Sequence, residues 1–256
     1  MADIELYEGE RLDEVNERLR LISKNDGLTF GTDAFLLASF IRRQGNARAC
    51  ELGAGTGIIS LLLAARERVS EIVAIEAQGD FAELAERNVR LNRLSDRIKI
   101  LHGDVRDITS ADMGGEMDIV FTNPPYMRTD SGKRNDSDRK YIARHEVLGG
   151  ISDFCASAGR LLKHGGKFYC VWRPDRLSEL MGAMRDNRLE PKAMVFVHAD
   201  EESEPSVVLV SATKCGAPSM RIMPPLMLHS AQSKNDRSRK MTDRAERIYK
   251  TMSFYD

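Results

Sequence analysis

Residues Phe121 to Met127 read FTNPPYM. An amide, two adjacent prolines and a phenol directly follow the apolar run Ile119-Val120-Phe121. Proline fixes φ and removes a backbone donor, so this loop is stiff by construction. A second constellation lies upstream. Glu51-Leu52-Gly53-Ala54-Gly55-Thr56-Gly57 spans the junction of a β-rich run and an apolar helical segment, the place where a doubly wound sheet binds its ligand. Gly53, Gly55 and Gly57 let backbone approach a ligand that a Cβ would repel. The spacing is GxGxG after an acid, without the third glycine of the dinucleotide fingerprint, and a carboxylate at Glu51 repels phosphate and suits a cation. Glu76 closes the second β-rich run, where a carboxylate can accept two hydrogen bonds from a ribose diol. Asp104 follows the third and can accept from an adenine amine. Three acids at successive strand ends around a glycine loop point to an adenosine-bearing, cationic, non-phosphorylated ligand. S-adenosylmethionine meets each requirement.

The elements that must position these groups show βαβ rhythm. Strands are expected at Ala47 to Leu52, Glu71 to Ile75, Ile98 to Leu101, Met117 to Phe121 and Lys167 to Trp172. Helices are expected at Ile58 to Ala65, across Phe81, Leu84, Ala85 and Val89, from Ile151 to Leu162, and across Leu177 to Met184. His164-Gly165-Gly166 is expected to end the third of these helices through a glycine C-cap. Ala193 to Val197 and Ser206 to Ala212 are separated by the acidic loop HADEESEP, too short for a crossover helix, and so pair as an antiparallel hairpin. The fold class is α/β: a Rossmann-like, mostly parallel seven-stranded sheet with a C-terminal antiparallel hairpin and helices on both faces. Residues 1–46 read as a partly helical segment packed on the core, 47–215 as the catalytic domain, and 216–256 as a basic extension, irregular after Pro224 and helical around Thr242 to Met252.

Composition bounds the rest. The chain has 256 residues and a formal net charge of −1, ordinary for a globular protein. No apolar run approaches the roughly 20 residues of a membrane span, and the acidic N-terminus is unlike a signal peptide, so a cytoplasmic location is expected. Cys50, Cys155, Cys170 and Cys215 are widely separated and form no metal-ligand pattern; buried thiols and no metal site are expected. Two stretches are locally basic: Met127 to His145, with Lys133, Arg134 and Arg144 among its cations, and the C-terminal residues from Lys234 to Lys250.

The Glu51–Gly57 loop together with Asn123-Pro124-Pro125-Tyr126 resembles the class I S-adenosylmethionine-dependent methyltransferases that carry an (N/D)PP(Y/F) motif after the fourth strand. That resemblance implies catalytic roles for Asn123, Pro124 and Tyr126. The Asn amide oxygen and the carbonyl of the first proline accept hydrogen bonds from a planar NH2, and the aromatic stacks on the target base. It also places Asn123 at the cofactor and Pro125 at the substrate. A closer similarity covers nearly the whole chain. Glu10-Arg11-Leu12-Asp13, Leu28 to Ala38, Ala143-Arg144-His145-Glu146, Gly165-Gly166 and Met223-Pro224-Pro225-Leu226 resemble the bacterial family that methylates the exocyclic amine of an adenosine beside the anticodon of valine tRNA. In that family the FGTDA stretch covers the cofactor, which nominates Phe30 and Thr32, with Asp33, as cofactor contacts; a core role for Phe30 and a helix-cap role for Thr32 compete with this.

The implied function is N6-methylation of an adenosine in RNA, with tRNA near the anticodon as substrate. Lys133, Arg134 and Arg144 then gain meaning as groups that hold the RNA backbone at the mouth of the site. A ribosomal RNA base, DNA adenine or a protein glutamine presents a similar NH2, but no target-recognition segment is visible, and only 46 residues precede the first strand. A non-catalytic cofactor- or RNA-binding module is the alternative from another class. Retention of both Asn123 and Tyr126 speaks against it.

Overall fold

A computed structural model describes residues 5–25, 31–125, 149–230 and 240–255. Glu10–Asn16 (β1) and Leu19–Lys24 (β2) form an antiparallel hairpin before helix Thr32–Phe40 (α1). Then follow Arg48–Leu52 (β3), Ile58–Ala65 (α2), Glu71–Glu76 (β4), Gly79–Leu91 (α3), Ile98–His102 (β5) and Met117–Thr122 (β6). Ile151–Leu161 (α4), Leu162–Trp172 (β7), Leu177–Asp186 (α5), Leu189–His198 (β8) and Pro205–Lys214 (β9) complete the core, followed by Arg221–Ile222 (β10), Leu226–Met227 (β11) and Asp243–Thr251 (α6).

Strands β5, β4, β3, β6 and β7 pair in that order and in parallel, and β9 inserts antiparallel between β7 and β8. Period-2 alternation sends Ala49, Ile119, Tyr169 and Leu209 into the core on one face, with α1, α2, α6 and Val89 of α3. Cys50, Val120, Cys170 and Val210 face the other core, with α4 and α5. The expected α/β architecture with helices on both faces is therefore present. The strand number is not seven: the sheet has nine strands, because β10 and β11 both add in parallel to the outer edge of β8. These are two-residue segments without a periodic pattern of their own.

Three further differences have physical causes. The segment before residue 47 contains a hairpin as well as α1, and it is held by tertiary bonds. Arg87 of α3 forms a bidentate ion pair with Glu10, at 2.6 and 2.8 Å, and the Asn88 and Asn92 side chains bond to the backbone of Ile22 and Arg20. Helix α4 ends at Leu161, before the glycines. Leu162 already pairs with Met117, and the register shifts before Lys167 pairs with Ile119; Gly165, at φ 76°, lies in this irregular stretch of strand. Cys50, Cys155 and Cys170 are buried, their thiol pKa values pushed up by burial, but Cys215 is exposed.

Arg68 ties together the C-terminal ends of α1 and α6. It is buried, and its guanidinium donates to Ile41 O at 2.6 Å and Met252 O at 2.8 Å. Arg68→Ala strands two carbonyls and is expected to lower unfolding stability by about 2–4 kcal/mol, measured by urea denaturation.

Candidate active site

The glycine loop sits at the carboxyl end of β3. Gly53, Gly55 and Gly57 have φ of 74°, 55° and 80°, a region that strains other residues. Gly53 N and Ala54 N both donate to Ile75 O at 2.9 Å, which fixes the loop to the end of β4. A Cβ on Gly53 would lie 3.3 Å from the Phe154 ring, whereas one on Gly55 would meet nothing within 4 Å. The loop is thus packed on one side and open at its tip.

The acids divide into distinct roles. Glu76 is buried, and its two oxygens each accept a backbone N–H, Oε2 from Gly55 at 2.8 Å and Oε1 from Gln78 at 2.9 Å. A carboxylate has about four lone-pair sites, so capacity for a diol remains. Glu51 is 1% exposed and turns beneath the loop, where Oε2 accepts from both the amide (3.2 Å) and the hydroxyl of Ser60. Burial pushes its pKa up to about 8 despite those bonds, with the nearby Glu76 charge adding to the rise. Glu51 therefore acts first as a fastener between strand β3 and helix α2. Asp104 accepts bonds from the Arg106 backbone and guanidinium, and this pairing holds its carboxyl below the usual range. To accept from an adenine it must share those oxygens with Arg106.

The two-proline motif is placed by register. Leu52 pairs with Thr122, and the Thr122 hydroxyl donates to Leu52 O at 2.8 Å, so Asn123-Pro124-Pro125 leaves the sheet beside Gly53. Pro124 is buried, while Asn123 and Pro125 are half-buried. Tyr126, Lys133, Arg134, Arg144 and Phe30 lie outside the described residues. Thr32 opens α1, but Gly31 is the N-cap residue; the Thr32 hydroxyl is hydrogen-bonded to Tyr249, whose ring stacks on Phe35 at 4.3 Å.

Three positioning residues escape the motif reading: Ser60, Phe154 and Asn88. Asn88 Nδ2 donates to Thr56 O of the glycine loop and to Ile22 O of the hairpin, both at 3.1 Å. Ser60 and Asn88 each carried a signal, a polar residue on an otherwise apolar helical stripe. Phe154 carried none.

The methyltransferase small domain family matches residues 24–186. The chain belongs to that family. It is an S-adenosylmethionine-dependent methyltransferase. Its curated relatives include a tRNA1(Val) (adenine(37)-N6)-methyltransferase of Phocaeicola vulgatus, 32% identical over 189 residues, covering 72% of this chain and 78% of the relative. A protein of the same name from Bacteroides fragilis is 30% identical over 183 residues, covering 72% and 76%. Among solved structures, a protein from Agrobacterium tumefaciens titled a predicted O-methyltransferase superposes with a TM-score of 0.69 at 24% identity, covering 88% of this chain and 98% of that one. Among the described residues of this methyltransferase, no group of three or more His, Cys, Asp or Glu is arranged to hold a metal ion, and no helix is long and apolar enough to cross a membrane.

The buried Glu51 makes stability depend on pH. Its carboxyl is raised from 4.5 to about 8 in the folded state, so the folded protein binds the extra proton between these values and stability falls as pH rises through them. The contribution is full below 4.5 and lost by about 8. Urea midpoints of the ligand-free protein are expected to drop over this window. Glu51→Gln, which keeps an acceptor for Ser60 without a titrating group, flattens the drop; an unchanged slope would show that Glu51 does not titrate there.

Proposed function

We propose that this methyltransferase places a methyl group on the exocyclic N6 of an adenosine in tRNA, beside the anticodon. Two curated relatives, 30% and 32% identical, carry that activity in their names, and the chain covers about three quarters of each. The observation that carries the reading is the Leu52–Thr122 register, which sets Asn123 and Pro124 next to the glycine loop. Cofactor loop and amine acceptors thus share one sheet end.

When bound, S-adenosylmethionine supplies an electrophilic methyl group on a sulfonium. The residues present fit it: an open loop tip at Gly55, a buried Glu76 with lone pairs to spare for a ribose diol, and an acid at Asp104 within the same rim. Gly53 and Gly57 hold the loop's left-handed turns. Glu51 fastens the loop from below, and Phe30 and Thr32 are the proposed cofactor contacts from the N-terminal segment. On the substrate side, an adenine amine is a poor nucleophile because its lone pair is delocalised into the ring. The Asn123 amide oxygen and the Pro124 carbonyl, held by the two prolines, draw its protons out of the ring plane and return the lone pair to nitrogen. Tyr126 stacks on the base, contributing about 1–3 kcal/mol, and Pro125 sets the angle of approach. Lys133, Arg134 and Arg144 neutralise RNA phosphates. In this reading residues 1–46 cover the cofactor, 47–215 carry the chemistry, and 216–256 form a basic extension.

The test is methyl transfer from labelled cofactor to separate pools of unmodified tRNA, ribosomal RNA, duplex DNA and protein, followed by nucleoside analysis. Label is expected in N6-methyladenosine from tRNA alone. Asn123→Ala is expected to lower kcat/KM by about 100- to 1,000-fold, the order seen for removing one preorganised polar group, with a smaller effect on cofactor affinity. Label in another pool would overturn the tRNA assignment and leave the chemistry standing.

A further inference from the structure

A hollow of about 350 Å3 lies far from the glycine loop, lined by Arg185, Arg188, Leu189, Glu190, Cys215 and Gly216. Strand β8 begins here, and since β8 and β7 are both antiparallel to β9, this is the end of the sheet where the parallel strands start. The ten residues of β8, at about 3.3 Å each, put it roughly 30 Å from the opposite rim. Nothing in the methyl-transfer site accounts for it.

Its walls combine two features. First, the Arg185 and Arg188 side chains are exposed and make no hydrogen bond or ion pair among the described residues. Lys192 and Lys214 stand beside them, their amino groups on Ala217 O and Leu162 O. Asp186 and Glu190 oppose these four cations, and the balance stays positive. Second, Arg188 and Cys215 have φ of 58° and 55°, and they meet directly, Cys215 N donating to Arg188 O at 2.7 Å. Arg188 follows the C-cap Asn187 of α5, a place where glycine is the usual residue. Arg188 and Cys215 each store about 1–3 kcal/mol of backbone strain, as do Glu67, Arg93 and Met252 at the ends of α2, α3 and α6, so the turn fixes the shape of the hollow and the arginines supply its chemistry. Gly216 completes the rim: a Cβ there would lie 3.0 Å from Lys192 and 3.2 Å from Thr213 O.

We propose that this hollow is a binding site for a phosphate group, held between the Arg185 and Arg188 guanidiniums. Guanidinium forks match phosphate oxygens in a bidentate manner, and two arginines without a partner among the described residues line this one hollow. The phosphate comes either from an RNA backbone or from a free phosphate ion, and the chemistry is the same for both.

Cys215 supplies a local readout, since it is exposed on the rim while Cys50, Cys155 and Cys170 are buried. In the full chain, alkylation of Cys215 by uncharged iodoacetamide would be followed by peptide mass spectrometry during titration with inorganic phosphate and, separately, with a short RNA stem-loop. Saturable protection is expected from one or both. Protection by RNA at concentrations where phosphate gives none assigns the backbone as ligand; protection by phosphate alone assigns the free ion. The double variant Arg185→Ala/Arg188→Ala is expected to weaken protection about tenfold or more, equivalent to roughly 1.4 kcal/mol. Arg188→Gly guards against misfolding as an explanation: relief of the left-handed strain should raise its thermal midpoint while protection still weakens. Absence of protection by either ligand, or equal protection in the double variant, would overturn the proposal.

Discussion

The site depends on the parallel pairing of β3 with β6. That pairing joins two segments about 70 residues apart in sequence, and its last rung, Leu52 with Thr122, decides where both loops emerge. A slip of one residue would turn every side chain of β6 to the opposite face, exchanging Val120 of one core for Ile119 and Phe121 of the other. Two distinct apolar cores therefore enforce the register. The Thr122 hydroxyl on Leu52 O adds a polar lock at the position where the ladder ends.

Around that rung the loop is stabilised from several sides by groups that never need to touch a ligand. Ile75 O receives two loop amides, Glu76 receives a third, Glu51 holds Ser60 beneath, and Asn88 reaches Thr56 from α3. This is preorganisation: the left-handed turns of the glycines are fixed before any ligand arrives, so less ordering remains to be done on binding. The same Asn88 side chain bonds Ile22 of the hairpin, which ties the N-terminal hairpin mechanically to the glycine loop.

Much of this was readable in the residues. The helix Ile58–Ala65 and the helical stretch from Thr242 to Met252 were both expected, and the structure adds that the Thr242 hydroxyl caps the latter by accepting Ala245 N. Strands with strong β-branched runs, such as Glu71–Glu76, are equally plain. The hairpin was not legible, because ERLDEVN is rich in residues that disfavour strands and its stability comes from Arg87, Asn88 and Asn92 on a helix about 70 residues away. Glu51 illustrates the same limit at the site: its place at a strand end is local information, but its burial against Ser60 is a consequence of packing. The NPP segment leaves the sheet beside Gly53 because β6 pairs with β3, a non-local pairing that local patterning does not specify; its role there is implied by the family resemblance.

The short strands β10 and β11 have a consequence for the molecule's behaviour in a crowded solution. Strand β8 closes one side of the sheet with ten residues, long enough to serve as a template for a strand of another chain. Its outer edge is taken in two places, by Arg221–Ile222 at Ala193 and Met194 and by Leu226–Met227 at Val197 and His198. Between them run Met223, whose amide bonds Met194 O, and Pro224 and Pro225, which have no amide hydrogen to offer a stranger. Arg244 then ties both proline carbonyls to the last helix, at 3.0 and 2.8 Å. The C-terminal region thus doubles as a guard rail against edge-to-edge aggregation.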